Sequence, residues 1–313
     1  MQLQFLGTGA GMPSKERNTS ALMMKLLDER GAMWLFDCGE ATQHQILHTT
    51  LKPRKIEKIF ITHLHGDHIL GLPGLLGSRS FQGGEDPVTI YGPKGLQQWI
   101  EMTLSLSKTH LTYPLYFVEV DEGVVFEDDR FVVRAGALRH VIPCFGYRIE
   151  QKALPGELLV EKAFALGVPK GPLLGRLKNG EAVELPDGRI VKGEDVTGQP
   201  QAGFTIAVLG DTRFCDEAVA LSQDADIIVH ESTFDSATTE LAGRYGHSTN
   251  REAAQVAQLA GARHLILNHI SARFLKHDLE QLLDEAREVF PTIYLANDFS
   301  VFDWKNRELI EAE

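Results

Sequence analysis

The chain has 313 residues, 43% hydrophobic and 24% charged, with a net charge of −12 at pH 7, the composition of an ordinary water-soluble globule. No apolar run approaches the ~20 residues that span a bilayer, so no membrane partner is expected, and the opening MQLQFLGTGAGMP lacks the regions of a secretion signal. The acidic balance argues against indiscriminate nucleic-acid binding through a basic field, though not against recognition by local Lys/Arg clusters.

In chain order, LQFLG (3–7), NTSALMMKLL (18–27) and AMWLFDCG (32–39) read as strands. EATQHQILHTTL (40–51) has helical spacing and stops before Pro53. KIEKIFITH (55–63) reads as a buried strand and 69–81 as a helix, despite Pro73 and its glycines. A strand, PVTIYGP, and a helix, KGLQQWIEMTLSLS, follow. LYFVEV, RFVVRAGALRH and CFGYRIE then read as strands. The last third alternates strands (FTIAVLGD, ADIIVHES, HLILNHI, TIYLAND, SVFDW) with helices (CDEAVALSQ, NREAAQVAQLAG, DLEQLLDEAREVF). Helices interleaved with mixed strands in both halves predict an α/β layered sandwich.

Residues 151–200 differ. Thirteen of these fifty are Gly or Pro, and periodicity is weak. A long irregular stretch inside a compact chain is commonly functional or disordered. Its middle, KAFALGVPKGPLLGRLK, carries Lys162, Lys170, Arg176 and Lys178 and no acidic residue. The three cysteines, Cys38, Cys144 and Cys215, are far apart and form no C-x-x-C. They read as small buried side chains in a chain of the reducing cytoplasm, not as a disulfide framework.

The sharpest signal is FITHLHGDHILG (60–71), with three histidines and an aspartate within six positions after an apolar run. Alternation along a strand lets His63 and His65 face one way. The turn at Gly66 directs Asp67 and His68 to a second point nearby. One ion cannot readily take all four; two can. Three more candidates follow apolar strands: His140, Asp211 and His269. One metal is assigned His63, His65, His140 and Asp211. The other is assigned Asp67, His68, His269 and a shared Asp211, which bridges through its two oxygens. HQILH (44–48) resembles a zinc-protease helix, but Gln45 stands where the general-base Glu is needed. GTGAG (7–11) opens no helix that could hold a pyrophosphate.

THLHGDH with the later His, GD and His resembles the metallo-β-lactamase fold superfamily. FLGTGAGMPSKERN, WLFDCGEATQHQ, GLPGLL, IYGP, GYRIE, GDT, HESTF, GHST and LANDFSVF, in order from Phe5 to Phe302, resemble more specifically the short form of the ribonuclease Z family of tRNA 3′-processing endoribonucleases. The resemblance implies a single αββα four-layer sandwich over 1–313, with 151–200 as a protruding flexible arm that grips tRNA. It implies the same seven metal ligands, with Asp67 as general base, His247 as proton donor to the leaving group, and Glu231 orienting that histidine. Lys15, Arg17 and Asn18 of PSKERN are placed near the RNA. Ser271 and Arg273 match a phosphate-binding turn, and Gly171 and Pro172 the arm's GP element.

The implied activity is removal of the 3′ trailer from precursor tRNA, leaving a 3′-hydroxyl on the tRNA and a 5′-phosphate on the trailer. The implied cofactor is two Zn2+ per chain, with Mn2+ or Co2+ as possible substitutes. The family is usually homodimeric. Arm lysines and arginines are the candidate counter-charges for RNA. Two rivals share these motifs: another hydrolase on the same metal site, such as a thioesterase, lactonase or cyclic-nucleotide phosphodiesterase, and a non-catalytic RNA-binding subunit.

Overall fold

The structure is a computed structural model, and it describes residues 1–312. The chain divides into two compact units. The larger comprises Met1–Phe126, Val133–Ile149 and the stretch from Thr205 onward; the smaller comprises Glu127–Val132 and Glu150–Phe204.

Two sheets organise the protein. Across the first, the strands run Glu308–Glu311, Val301–Lys305, Gln2–Gly7, Ala21–Leu26, Ala32–Phe36, Ile56–Phe60, Val88–Gly92 and Leu115–Glu119. Across the second they run Ile293–Leu295, His264–Asn268, Ile227–Glu231, Thr205–Val208, Cys144–Gln151, Phe131–Leu138 and Gly123–Glu127. Each sheet has two apolar faces, because its strands alternate side chains and both faces are covered. In the first, Leu6, Met23, Leu35 and Ile59 pack outward against Ile46, Leu72, Leu75, Leu76 and Ile100 of the helices. Phe36 and Phe60 point the other way, stacked 5.1 Å apart, and meet Tyr147 of the second sheet. The second sheet's outer face, with Ala207, Ile228, Leu265 and Leu267, is covered by Ala253, Ala254, Val256, Ala257, Leu282 and Ala286. Small alanines let the helices Asn250–Leu259 and Lys276–Arg287 approach closely. Helix, sheet, sheet and helix form the αββα sandwich.

Several elements differ from expectation in extent. The helix expected over 40–51 is Thr42–Leu47 alone. The one expected over 69–81 is Leu72–Phe81, with Pro73 in the first turn, where a missing N–H costs nothing, and a separate short helix, Gly66–Ile69, precedes it. The strands Gly123–Glu127 and Glu308–Glu311 and the helix Thr239–Tyr245 go beyond the expected elements, being short and without strong periodicity.

The smaller unit corrects the reading of 151–200 as irregular. It contains the helices Val160–Ala165, Pro172–Lys178 and Gly193–Val196 and an antiparallel pair, Ala182–Glu184 with Ile190–Lys192. Ala163, Val168, Leu177, Val183, Leu185, Val191 and Val196 form its own apolar core. Elements of three to seven residues are too short to carry a detectable period.

Candidate active site

The site lies where strands of both sheets end. Ile56–Phe60 leads into the loop bearing His63 and His65; Asp67 and His68 lie on the short helix Gly66–Ile69. The turn is packed against the end of Ala32–Phe36: a Cβ on Gly39 would lie 2.4 Å from the Asp67 carbonyl, and one on Gly71 would lie 2.0 Å from the Gly39 carbonyl. Only glycine permits that approach. His140, Asp211 and His269 each stand just beyond the ends of Phe131–Leu138, Thr205–Val208 and His264–Asn268. His269 has a positive φ, 55°, a conformation uncommon outside glycine.

The seven side chains converge as two groups. His63, His65, His140 and Asp211 form one, and Asp67, His68 and His269 the other. A tetrahedral ion with bonds of about 2.0–2.1 Å separates its ligand atoms by about 3.3 Å. The observed edges match. His65 Nδ1 is 3.0 Å from His63 Nε2 and 3.2 Å from His140 Nε2, and Asp211 Oδ2 is 3.6 Å from His63 Nε2. In the second group the distances among His68 Nε2, His269 Nε2 and Asp67 Oδ2 are 3.3–3.4 Å. Asp211 Oδ2 lies 3.5 Å from both imidazoles, so a single oxygen borders both groups. A donor set of imidazoles and carboxylates at these spacings fits divalent metal ions.

The outer ring nitrogens are held so that the inner ones face the centre. His68 Nδ1 donates to Asp37 Oδ2 at 2.8 Å, and His140 Nδ1 donates to the Gly246 carbonyl at 2.8 Å. His63 Nδ1 meets Thr62 Oγ1 at 3.0 Å, and that hydroxyl donates to Asp37. His269 Nδ1 meets Thr233 Oγ1 at 2.8 Å, and that hydroxyl donates to Glu231 Oε2 at 2.7 Å. Asp37 and Thr62, with Thr233, are functional residues that the sequence reading missed. Asp37 follows an apolar strand as the assigned ligands do, and that was the available signal.

His247 sits beside the two groups but is tied differently. Its Nδ1 bonds Glu231 Oε1 at 2.8 Å and is 3.8 Å from Asp211 Oδ2. Burial disfavours its charge, but the adjacent Glu231 carboxylate outweighs this and lifts its pKa to about 9. Glu231 is fixed by the N–H groups of Thr212 and Thr233. Burial also opposes charge on Asp67, yet bonds from His269 and His68 hold its carboxyl well below the usual range. Asp67 Oδ2 accepts the Gly11 N–H at 2.8 Å.

The proposed substrate residues are not all at the surface. Lys15 is exposed on the loop 8–18, and Asn18 is half-buried, its side chain donating to the Glu40 carbonyl. Arg17 departs from the expectation of a place near RNA: it is 7% exposed, and its guanidinium donates to Thr8 Oγ1, the Ala296 carbonyl and Asn297 Oδ1. Ser271 pairs in parallel with Ala10, which brings the Ser271–Arg273 turn to that same loop. Arg273 is exposed, its guanidinium 4.5 Å from the Phe234 ring and bonded to Ser271 Oγ. In the smaller unit Gly171, Pro172, Lys162, Lys170, Arg176 and Lys178 are exposed, with Arg176 paired to Glu181 at 2.8 Å. His44 and His48 lie exposed on and beside a short helix, away from any ligand group.

Residues 1–141 match the family model described as anti-Pycsar protein Apyc1. The chain is 57% identical over 302 residues to a ribonuclease Z of Geobacillus kaustophilus, covering 96% of this chain and 98% of that one. Its fold matches the crystal structure of human tRNase Z, short form, with a TM-score of 0.70 and 33% identity over 97% of this chain and 99% of that one. It also matches the metallo-β-lactamase fold protein YhfI of Bacillus subtilis, with a TM-score of 0.65 and 20% identity over 96% and 98% of the two chains. With near-complete coverage at that identity, and a metal-ligand cluster at the ends of its paired sheets, the chain belongs to the ribonuclease Z family.

Proposed function

We infer that this protein is a metal-dependent endoribonuclease that removes the 3′ trailer from tRNA precursors. It leaves a 3′-hydroxyl on the tRNA and a 5′-phosphate on the trailer. The observation that carries the reading is a ligand ring at tetrahedral spacing with the hydrogen-bonded His247–Glu231 pair beside it. The intact ligand set speaks against a non-catalytic subunit.

The residues fit two zinc ions: His63, His65, His140 and Asp211 would hold one, and Asp67, His68 and His269, with Asp211, the other. When bound there the ions supply a hydrolytic nucleophile at neutral pH and Lewis acidity toward the phosphate oxygens. The protein's own groups do the rest. Asp67 keeps Oδ2 toward the imidazoles and the Gly11 N–H, which leaves Oδ1 to accept a hydrogen bond from the attacking water and aim it. His247, whose charged form the Glu231 carboxylate favours, delivers its proton to the departing 3′-oxygen, a poor leaving group without it. Contact with the RNA backbone is assigned to Lys15 and Asn18 on the loop 8–18 and to Ser271 and Arg273 on the turn that pairs with it. Arg17 acts from within, fixing the loop that carries Lys15.

Binding of the tRNA body is assigned to Gly171, Pro172, Lys162, Lys170, Arg176 and Lys178. Their cluster answers the requirement that an acidic chain supply positive charge locally. A homodimer is favoured by exposed apolar side chains on helices of the larger unit, among them Phe81 at 93% and Leu106 at 79% exposure. A cytoplasmic setting agrees with three free, buried cysteines; no described helix is long and apolar enough to cross a membrane.

One assay tests the reading. Apo and zinc-loaded protein are incubated with a tRNA bearing a 3′ trailer, and the cut and its end groups are mapped. Zinc-dependent release of a 5′-phosphorylated trailer is expected. Hydrolysis of small esters without cleavage of the RNA would assign the metal site to another substrate.

A further inference from the structure

Asp298 lies in the turn after the strand Ile293–Leu295. Its carboxylate is saturated. Oδ1 accepts the Thr8 N–H at 3.0 Å and the Thr8 hydroxyl at 2.6 Å. Oδ2 accepts the Asn18 N–H at 2.7 Å and the Gln45 side-chain amide at 2.9 Å. Thr8 and Asn18 are the two ends of the loop 8–18. One carboxylate therefore closes that loop at its neck, reinforced by the bond from the Gly9 N–H to the Asn18 carbonyl at 2.8 Å. Arg17 crosses beneath, tying Thr8 Oγ1 to Ala296 and Asn297 in the same turn.

The loop so closed carries two things to the active centre. The Gly11 N–H reaches Asp67 Oδ2, the oxygen that also faces His68 and His269. Lys15 stands exposed on the same loop. We propose that Asp298 is a positioning residue: through Thr8 and Asn18 it sets the loop 8–18, which in turn fixes the Asp67 carboxylate and places Lys15 for the RNA. The proposal rests on the endoribonuclease reading only for the part played by Lys15.

Asp298→Asn is the sharp perturbation. An amide has one accepting oxygen, and whichever way it turns, its NH2 faces a backbone N–H, of Thr8 or of Asn18. Outer partners of metal ligands are typically worth about 10–100-fold. The expected result is a fall of that order in kcat on bis(p-nitrophenyl) phosphate, with zinc content as in the wild type. On trailer-bearing tRNA, KM rises as well. Lys15→Ala then adds little to the KM of the Asp298→Asn protein, because the lysine is already misplaced. A protein with lowered thermal stability but wild-type kcat and KM would overturn the proposal, as would KM effects of the two substitutions that simply multiply. Should Asp298→Asn fail to fold, the near-isosteric Thr8→Val removes the hydroxyl joining Asp298 to Arg17 and is read in the same way. Failure of the wild type to cut the tRNA, with diester hydrolysis intact, would count against the substrate and leave the Asp67 half standing on the diester kinetics.

Discussion

Replacing Asp37 by Asn is the most informative test of how the metal centre is built. Asp37 is 7% exposed and serves two ligands at once. Its Oδ2 takes the His68 Nδ1 proton at 2.8 Å; its Oδ1 takes the Thr62 N–H at 2.8 Å, and both oxygens lie within reach of the Thr62 hydroxyl that meets His63 Nδ1. The amide removes the charge, and its NH2 must face either the imidazole N–H or the Thr62 N–H. Losing one charge-assisted hydrogen bond of this kind costs about 1.5–3 kcal/mol. At about 1.4 kcal/mol per decade that is roughly 10- to 100-fold in metal affinity. Zinc affinity is measured by competition with a chromophoric chelator, alongside hydrolysis of bis(p-nitrophenyl) phosphate at rising zinc. The variant is expected to release zinc to weaker chelators and to recover much of its activity at excess metal. Zinc affinity equal to that of the wild type would refute the claim that Asp37 sets the orientation of His68 and His63.

Four further outcomes are expected. His247→Ala lowers cleavage of trailer-bearing tRNA by about 10²–10⁴-fold, while bis(p-nitrophenyl) phosphate, whose leaving group needs no proton, loses far less; equal losses on both substrates would remove His247 from the leaving-group side. Replacing Lys162, Lys170 and Lys178 together by Ala weakens binding of precursor tRNA and flattens its salt dependence, with the small diester unaffected; a salt slope identical to the wild type's would take the arm out of docking. Burial opposes charge on His68, but Asp211 and Asp37 outweigh it and raise its pKa well above normal, so in the metal-free chain this imidazole keeps its proton up to higher pH. Zinc needs it neutral; apparent zinc affinity therefore rises with pH, and protons are released on binding in a weakly buffered titration, whereas pH-independent affinity would contradict the arrangement. Thr249 caps the helix Asn250–Leu259, exchanging bonds with Glu252, so Thr249→Ala is expected to cost about 1 kcal/mol of stability in denaturant unfolding.

The parts of the site legible in the sequence were those whose residue types have little structural use where they stand. Four ligating side chains between His63 and His68 have no packing purpose, and their strand-end position pointed to a centre built from strand ends. His140, Asp211 and His269 followed because each comes just after an apolar strand. The burial of Arg17 was not legible: its expected place near RNA came from the resemblance of PSKERN, and the groups that bury its guanidinium, at Ala296 and Asn297, lie some 280 residues away in sequence. Asp37 was hidden by its neighbours: Phe36, Cys38 and Trp34 make the stretch read as core, and a carboxylate serving as second partner to two histidines has no spacing signature of its own. The short helices and hairpin of the smaller unit were invisible because each is a turn or two long and is ordered by contacts among them all.

The two sheets contribute matching devices to the centre. At the end of Ala32–Phe36, Asp37 bonds His68 directly and reaches His63 through Thr62. At the end of Ile227–Glu231, Glu231 bonds His247 directly and reaches His269 through Thr233. Each is a buried carboxylate, a threonine hydroxyl and two imidazoles. The first device serves two metal-facing histidines, whereas the second serves one metal-facing histidine and His247, the proposed proton donor. Glu231 therefore cannot shift without disturbing both His269 and His247. The carboxylate must also remain charged to do this. Burial works against that charge, and the neighbouring His247 outweighs it, holding the Glu231 carboxyl below its ordinary range. His247 thus sustains the charge of the carboxylate that positions it, and both depend on the parallel pairing that sets Glu231 opposite Asn268, next to His269.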